Sequence, residues 1–190
     1  MHVYDLCNCP IKAYCRIIGI ERKVTKQTIG IMVFGIVSEN ILAWTFPNDE
    51  LQYQTTMGLL KPEESIFGHI DIYEKKIFPL EVKGTRKNVF KSADLPTSWV
   101  EQLMCYMAMQ GREKGWLVIF NVFSCQIMAF CIQMTNQDIL DWLITITTRA
   151  SMIYDAVEQK CPTLLEIHPE EYENCDYKTT CPRNMECYNN

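Results

Sequence analysis

Three residues near the middle of the chain, Asp71, Glu81 and Lys83, combine types and spacing that could do chemistry. They sit in two apolar runs, residues 66–73 (Ile-Phe-Gly-His-Ile-Asp-Ile-Tyr) and 77–83 (Ile-Phe-Pro-Leu-Glu-Val-Lys), joined by Glu74-Lys75-Lys76. Both runs read as strands and the connection suits a hairpin. A three-residue loop would pair Tyr73 with Ile77, setting Asp71 opposite Pro79 and His69 opposite Glu81. Ile70, Ile72, Leu80 and Val82 would then share one face, and Asp71, Glu81 and Lys83 the other. The two carboxylates become diagonal neighbours roughly 7–8 Å apart. Acids that close repel unless a cation lies between them, and a divalent metal with oxygen ligands meets that need. The Asp-x9-Glu-x-Lys spacing alone recurs by chance in a chain this long. Its setting in two apolar strands with a shared polar face is what makes it informative.

A third acid, Glu39, follows Ile36 by three residues and Met32 by seven, on the apolar stripe of an expected helix. An ionised carboxylate facing a core is costly unless paired or bound to a metal. Either the helix ends or rotates and Glu39 is exposed, or it joins the hairpin carboxylates, which would answer both problems at once. His69 is read as a structural polar residue.

Ten cysteines are many for a chain with no visible secretory leader, since Met1-His2-Val3-Tyr4-Asp5 has neither a basic start nor an apolar stretch. The longest apolar run, Ile29 to Val37, is nine residues, about half of the ~18–20 that a bilayer demands. No membrane partner and a cytoplasmic location are therefore expected. Thiols are kept reduced there, which favours metal binding over disulfides. The segment 161–190 holds Cys161, Cys175, Cys181 and Cys187, three prolines and no sustained period, so it needs something other than a core to order it. The N-terminus offers Cys7, Cys9 and Cys15. Four thiolates suit an iron–sulfur cluster or zinc equally. Cys105, Cys125 and Cys131 read as core residues, and Cys161 as a spare ligand.

The net charge of −5 hides a gradient: residues 1–100 carry 12 Lys and Arg against 11 acids, and 101–190 carry 6 against 12. Within 75–91, Lys75, Lys76, Lys83, Arg86, Lys87 and Lys91 face only Glu81. A phosphate backbone could use such a stretch, although a solvated face accounts for it as well.

The elements that must position these groups follow from periodicity. Ile11, Tyr14, Cys15 and Ile18 mark a short helix after Pro10. A longer helix is expected from Thr25 to Trp44, with Ile29, Met32, Val33 and Ile36 as its buried stripe. Strands follow at 51–60, 66–73 and 77–83. Ser98-Trp-Val-Glu101 has the form of a capping box opening a helix that ends near Gly111. Strands at 116–123 and 125–133 come next, and Thr135-Asn-Gln-Asp138 caps a helix reaching Lys160. The order α-α-β-β-β-α-β-β-α-tail describes a single mixed α/β domain over residues 1–190.

Gly68-His-Ile-Asp71 with Leu80-Glu81-Val82-Lys83 resembles the PD-(D/E)XK nuclease core. Gln102-Leu-Met-Cys-Tyr106 is similar to the Gln-x-x-x-Tyr motif on the next helix of its RecB-like branch. With cysteines at both ends, positions Cys9 to Cys187 most closely resemble the CRISPR-associated RecB-like exonucleases, the fourth Cas protein family. In that family a Cys-Pro near the N-terminus and three late cysteines hold a [4Fe–4S] cluster. Similar single-domain nucleases occur in archaeal viruses. Two departures stand out. The family's Gly-x-x-x-His appears here as Gly35-Ile-Val-Ser-Glu39, and its Cys-x2-Cys-x5-Cys as Cys175-x5-Cys181-x5-Cys187.

The resemblance implies a restriction-endonuclease-like PD-(D/E)XK fold, a mixed sheet flanked by helices, with the 161–190 tail closing a cluster onto the first helix. It implies Mg²⁺ or Mn²⁺ held by Glu39, Asp71, Glu81 and the Val82 carbonyl. Lys83 would orient or deprotonate a water or stabilise the transition state. Gln102 and Tyr106 would position Lys83 or the substrate strand, and Arg86, Lys87 and Lys91 would contact phosphates. For the cluster it singles out Cys9, directly before proline, with Cys175, Cys181 and Cys187. The implied activity is DNA hydrolysis, chiefly on single-stranded ends, in the service of a CRISPR integrase complex. Two other readings fit the residues: a catalytically weak DNA-binding decoy or scaffold, and a zinc-stabilised nucleic-acid-binding protein. A purely redox role leaves the acidic hairpin face unexplained.

Overall fold

The computed structural model describes residues 1–24, 26–44, 50–59, 64–74, 77–86, 89, 91–168 and 175–189. Its helices are α1 (Val3–Leu6), α2 (Pro10–Ile17), α3 (Lys26–Ala43), α4 (Thr97–Met109), α5 (Asn136–Glu158) and α6 (Asn184–Asn189). Its strands are β1 (Glu50–Gly58), β2 (Ser65–Glu74), β3 (Phe78–Thr85), β4 (Lys114–Asn121) and β5 (Gln126–Gln133). The strands form one sheet in the order β1-β2-β3-β4-β5. Neighbours are antiparallel except β3 and β4, which run parallel because α4 carries the chain back across the sheet between them. Among the described residues no helix is long and apolar enough to cross a membrane.

One face of the sheet packs against α1, α2, α4 and α5. Ile66, Ile70 and Tyr73 of β2 bury with Tyr106 of α4 and Ile146, Ala150 and Ile153 of α5. Leu117 and Ile119 of β4 bury with Leu103 and Met107. On the other face Ile72, Leu80, Val82 and Val118 make a smaller cluster. The approach of α4 is close: a Cβ on Gly115 would lie 2.9 Å from Leu103 Cδ1, and one on Gly68 would lie 2.7 Å from Tyr106 Cε1.

The β2–β3 hairpin is displaced from the expected pairing. Tyr73 stands opposite Pro79 and Glu74 opposite Phe78, so the turn lies one residue later than Glu74-Lys75-Lys76. Lys75 and Lys76 themselves lie outside the described residues. A shift of two in the pairing sum preserves faces, so Glu81 and Lys83 still point away from Leu80 and Val82. Ile70 does not join that apolar set, however. The β1–β2 ladder pairs Leu51 with Ile72 and Tyr53 with Ile70, and between them Gln52 has φ +50°. Beside it Ile70 packs with Tyr106 of α4, while Ile72 joins Leu80, Val82 and Val118 on the other face.

Helix α3 departs most from expectation. Its stripe of Ile29, Met32, Val33 and Ile36 is exposed rather than buried, as are Phe34, Val37, Ile41 and Trp44. What faces the sheet is small: Ser38 is 1% exposed, and a Cβ on Gly84 would lie 2.7 Å from its Oγ. The expected start at Thr25 lies outside the described residues.

Capping divides in the same way. Thr135 and Asp138 form both halves of a capping box on α5, with Thr135 N–H donating to Asp138 Oδ2 at 2.8 Å. The Ser98–Glu101 box does not form. Helix α4 starts two residues earlier, with Pro96 at the N-cap and no side-chain cap, and Glu101 instead accepts from Arg149 Nη1 at 3.1 Å. Cys125 and Cys131 are exposed, at the β4–β5 turn and on the edge strand β5, whereas Cys105 is buried in α4.

Gly68→Ala should lower the melting temperature, by about 1–3 kcal/mol of overpacking against the Tyr106 ring. Thermal unfolding followed by circular dichroism checks it, and an unchanged melt would mean that α4 rides more loosely on β2.

Candidate active site

At the end of the β2–β3 ladder the Val82 N–H donates to Asp71 Oδ2 at 2.8 Å. A side chain thereby takes a donor that a backbone carbonyl would otherwise satisfy, and the strands open around it. Gln52 donates its Nε2 to Asp71 Oδ1 at 3.3 Å and to Glu39 Oε2 at 3.1 Å. Helix α3 therefore brings Glu39 to the hairpin acid through one amide. On β3, Lys83 Nζ lies 2.6 Å from Glu81 Oε1 and 3.0 Å from Gln102 Oε1, and Gln102 Nε2 donates to Tyr106 OH at 3.3 Å. Asp71, Glu81, Lys83, Glu39, Gln102 and Tyr106 thus gather at one place, fed by α3, β2, β3 and α4.

Electrostatics there is dominated by burial. Glu81 is 1% exposed, and its second oxygen, Oε2, has no hydrogen-bond partner among the described residues. Loss of water pushes its pKa up to about 8, with Lys83 opposing and the Asp71 charge adding to the rise. Glu39 is pushed up to about 7 by burial and then by Asp71. Asp71 is raised by burial, against the pull of Lys83 and the Val82 N–H. Burial lowers the Lys83 ammonium, but Glu81, Asp71 and Glu39 outweigh it and hold its pKa above the usual lysine value. Tyr106 is pushed up by burial and by Glu81, so it stays a neutral phenol.

Among the described residues no three His, Cys, Asp or Glu side chains converge tightly enough to hold a metal ion as they stand. Between the acids lie nitrogen donors instead: the Gln52 amide between Glu39 and Asp71, and Lys83 on Glu81. The donor set nevertheless suits a hard cation, since it is all oxygen and includes one buried carboxylate oxygen lacking any partner.

Nothing in the chain matches a known family model, and no curated protein matches it. Solved structures do. The chain is similar to the crystal structure of SSO0001, with a TM-score of 0.65 and 21% identity over 96% of this chain and 85% of that one. A phage related exonuclease from Haemophilus somnus 129PT gives 0.56 and 13% identity over 80% and 81% of the two chains. LHK-Exo, solved in complex with dAMP, gives 0.57 and 12% over 84% and 90%. The fold is that of the restriction-endonuclease-like exonucleases. Within that fold the mixed five-stranded sheet and its flanking helices are accounted for, and the acidic group sits where β2 and β3 part.

The other expected residues divide. Arg86 is exposed just beyond β3, its guanidinium carbon 5.5 Å from the Phe34 ring centroid and 6.0 Å from that of Phe123. Lys87 lies outside the described residues. Lys91 is exposed in the turn before α4, where its N–H donates to Asp94 Oδ2 at 3.2 Å. His69 is exposed and stacks on His2 with centroids 6.1 Å apart. Gln52 was not foreseen. Nothing in Leu51-Gln-Tyr-Gln sets it apart, because its role depends on the positive φ that only the fold reveals.

The thiols form a second group. Cys9, Cys15, Cys175, Cys181 and Cys187 line one pocket with Lys12 and His168, between α2 and the tail. A hydrogen bond from the Cys15 thiol, then the N–H and charge of Arg183, bring Cys181 down to about 6, against burial. Burial raises Cys175 and Cys187. Cys7 points elsewhere, its Sγ 3.7 Å from that of Cys105. Cys161 pairs with Thr163 Oγ1 at 3.1 Å and is not part of the pocket lining. The set of soft sulfur donors suits an iron–sulfur cluster or zinc.

The raised carboxylates give a pH dependence of definite sign. Their folded pKa values lie above the unfolded ones, so the stability they contribute is present below about pH 4.5 and lost as pH rises through about 7 for Glu39 and 8 for Glu81. Without added divalent metal, the melting temperature should fall between pH 5 and 8, and Glu81→Gln should flatten that fall. A melting temperature that rises across this window in the parent protein would refute the burial reading.

Proposed function

We propose that this chain is a metal-dependent deoxyribonuclease of the PD-(D/E)XK kind, acting on single-stranded DNA or overhangs. The observation that carries the reading is the buried Glu81, with one oxygen on Lys83 and the other without a partner, beside Asp71 and Glu39. An ionised group so placed is costly unless a cation completes it. Mg²⁺ or Mn²⁺ held by Glu39, Asp71, Glu81 and the Val82 carbonyl would supply Lewis-acid neutralisation of charge at the phosphate.

Hydrolysis joins a water oxygen to phosphorus and breaks the bond to the departing sugar oxygen, which leaves with a proton. Lys83 enters protonated, because three acids surround it. Its part is to donate hydrogen bonds to the water or the phosphate and to hold positive charge, rather than to act as a base. Gln102 fixes Nζ through its carbonyl oxygen and is itself oriented by donating to Tyr106. Gln52 holds Glu39 and Asp71 together while the acids wait for the cation. Arg86, exposed three residues after Lys83, would offer a cation to backbone phosphates. The family resemblance extends it to the trimming of DNA ends for a CRISPR integrase complex.

The thiol pocket is read as a [4Fe–4S] site formed by Cys9, Cys175, Cys181 and Cys187, with zinc as the competing occupant. Cys15 lies in the same pocket and shares a hydrogen bond with Cys181, so it is a rival to Cys9 for the N-terminal position. Closing a loop of 165 residues between Cys9 and Cys175 would stabilise the fold by limiting the unfolded chain.

Anaerobically purified protein should cleave end-labelled single-stranded DNA with Mn²⁺, and Asp71→Ala should abolish cleavage. Lys83→Met should lower kcat by about 10²–10³-fold, as the loss of one transition-state donor does. No cleavage with intact DNA binding would point to a decoy or scaffold. Equal cleavage by the parent and Asp71→Ala would discard these carboxylates. Visible absorbance should accompany the purified protein and bleach in Cys9→Ala with a lower melting temperature. A colourless protein with stoichiometric zinc would replace the cluster by zinc, and bleaching only in Cys15→Ala would move the ligand.

A further inference from the structure

Outside the acidic group, Phe123 is an aromatic side chain standing in solvent just past the end of β4. It is 76% exposed at the tip of the β4–β5 turn, yet the turn is firmly built. Asn121, 1% exposed, accepts from the N–H groups of Phe123 and Ser124 at 3.0 and 3.1 Å, and Val122 N–H donates to Thr85 O at 2.9 Å. A phenyl ring held outward by a fixed turn offers an apolar π-face to whatever lies alongside. Next to it, the Arg86 guanidinium carbon lies 6.0 Å from the Phe123 ring centroid and 5.5 Å from that of Phe34. Stacking engages the faces of a guanidinium, while its N–H donors project in its plane towards any phosphate alongside. Arg86 follows Lys83 by three residues, roughly 10 Å along the strand.

We propose that Phe123, Arg86 and Phe34 form a nucleotide-stacking platform at the rim of the active site, on which an unpaired base of single-stranded DNA lies against the exposed face of Phe123 while Arg86 holds its phosphate. The proposal rests on the nuclease reading above and adds a site that reads the base face, not the sequence. An aromatic ring with a cation at its edge matches a nucleotide in both parts: the base offers a π-face, the phosphate a negative charge. A protein partner would use the ring but has no need of the cation beside it. The site also favours single strands, because a base within a duplex has both faces covered.

The test compares binding of the full chain, without divalent metal so that nothing is cut, to a fluorescein-labelled oligothymidylate and to an abasic deoxyribose-phosphate oligomer of equal length. The parent should bind the thymidylate more tightly. Phe123→Ala should weaken thymidylate binding about tenfold and leave the abasic oligomer unchanged. Phe123→Trp should restore affinity, and the introduced indole should lose fluorescence when thymidylate binds. Arg86→Gln should weaken both oligomers and reduce the salt dependence of binding. Circular dichroism melts establish that each variant is folded. Equal binding of the two oligomers by the parent, or equal weakening of both by Phe123→Ala, would overturn the platform while leaving the nuclease reading intact. Loss of self-association in Phe123→Ala with unchanged DNA affinity would assign the ring to a second copy of the chain and overturn the platform. Failure of the parent to bind either oligomer would overturn the platform, and the Mn²⁺ cleavage assay then decides the nuclease reading separately.

Discussion

Glu81 is taken out of water with only one of its two oxygens paired, and the architecture around it is arranged to tolerate that. Its partner Lys83 is on the same strand two residues on, so both ions enter the fold together and neither can be withdrawn without stranding the other. Lys83 in turn needs the Gln102 carbonyl, and Gln102 needs Tyr106, which ties the ion pair to α4. Helix α4 can reach it only because Gly68 and Gly115 let it press onto β2 and β4. The parallel pairing of β3 with β4 follows from the same helix, which must cross the sheet between them. A local charge requirement thus reaches through one helix into the strand order.

Destabilisation at the acids is offset by what lies behind them. Ile66, Ile70 and Tyr106 bury completely on the α4–α5 face, and their apolar burial carries the sheet. On the opposite face the cluster of Ile72, Leu80, Val82 and Val118 is small. The opening between β2 and β3 is therefore backed by a well-packed layer on one side only. Opening the ladder there sacrifices backbone pairing, and the Asp71–Val82 hydrogen bond recovers part of it.

Much of this was legible beforehand, and the parts that were not have physical causes that can be named. Strand alternation identified Asp71, Glu81 and Lys83 as one polar face, and helical spacing put Gln102 and Tyr106 on one side of α4, because both periodicities are local properties. The hairpin register slipped by one residue at the turn, since Glu74-Lys75-Lys76 and Lys75-Lys76-Ile77 make equally short loops. The reversal between Ile70 and Ile72 escaped because strand alternation puts residues two apart on one face, and no pattern within β2 reports the break. Ser98 and Glu101 spell a capping box, but Arg149, 48 residues further on, takes the Glu101 carboxylate. Cys125 and Cys131 look like core residues by type, yet they occupy a turn and an edge strand. At Glu101 it was a contact distant in sequence that decided what neighbouring residues could not.

Helix α3 shows why apolar spacing predicts a buried face only when the contact is wide. Contact with β3 runs through Ser38 and Gly84, two of the smallest groups available, so the helix axis comes close and the larger side chains are turned outward. At 100° per residue the exposed set from Ile29 to Trp44 covers more than half of the helix circumference. Ser38 lies on the contact line, and Glu39, one step around, falls at its margin. There it is half-buried and reaches the Gln52 amide without entering a core. A wider, conventional apolar seam would hold the helix further from the sheet and carry Glu39 away from Asp71. The narrow seam therefore explains both the placement of the third acid and the apolar surface left on the outside.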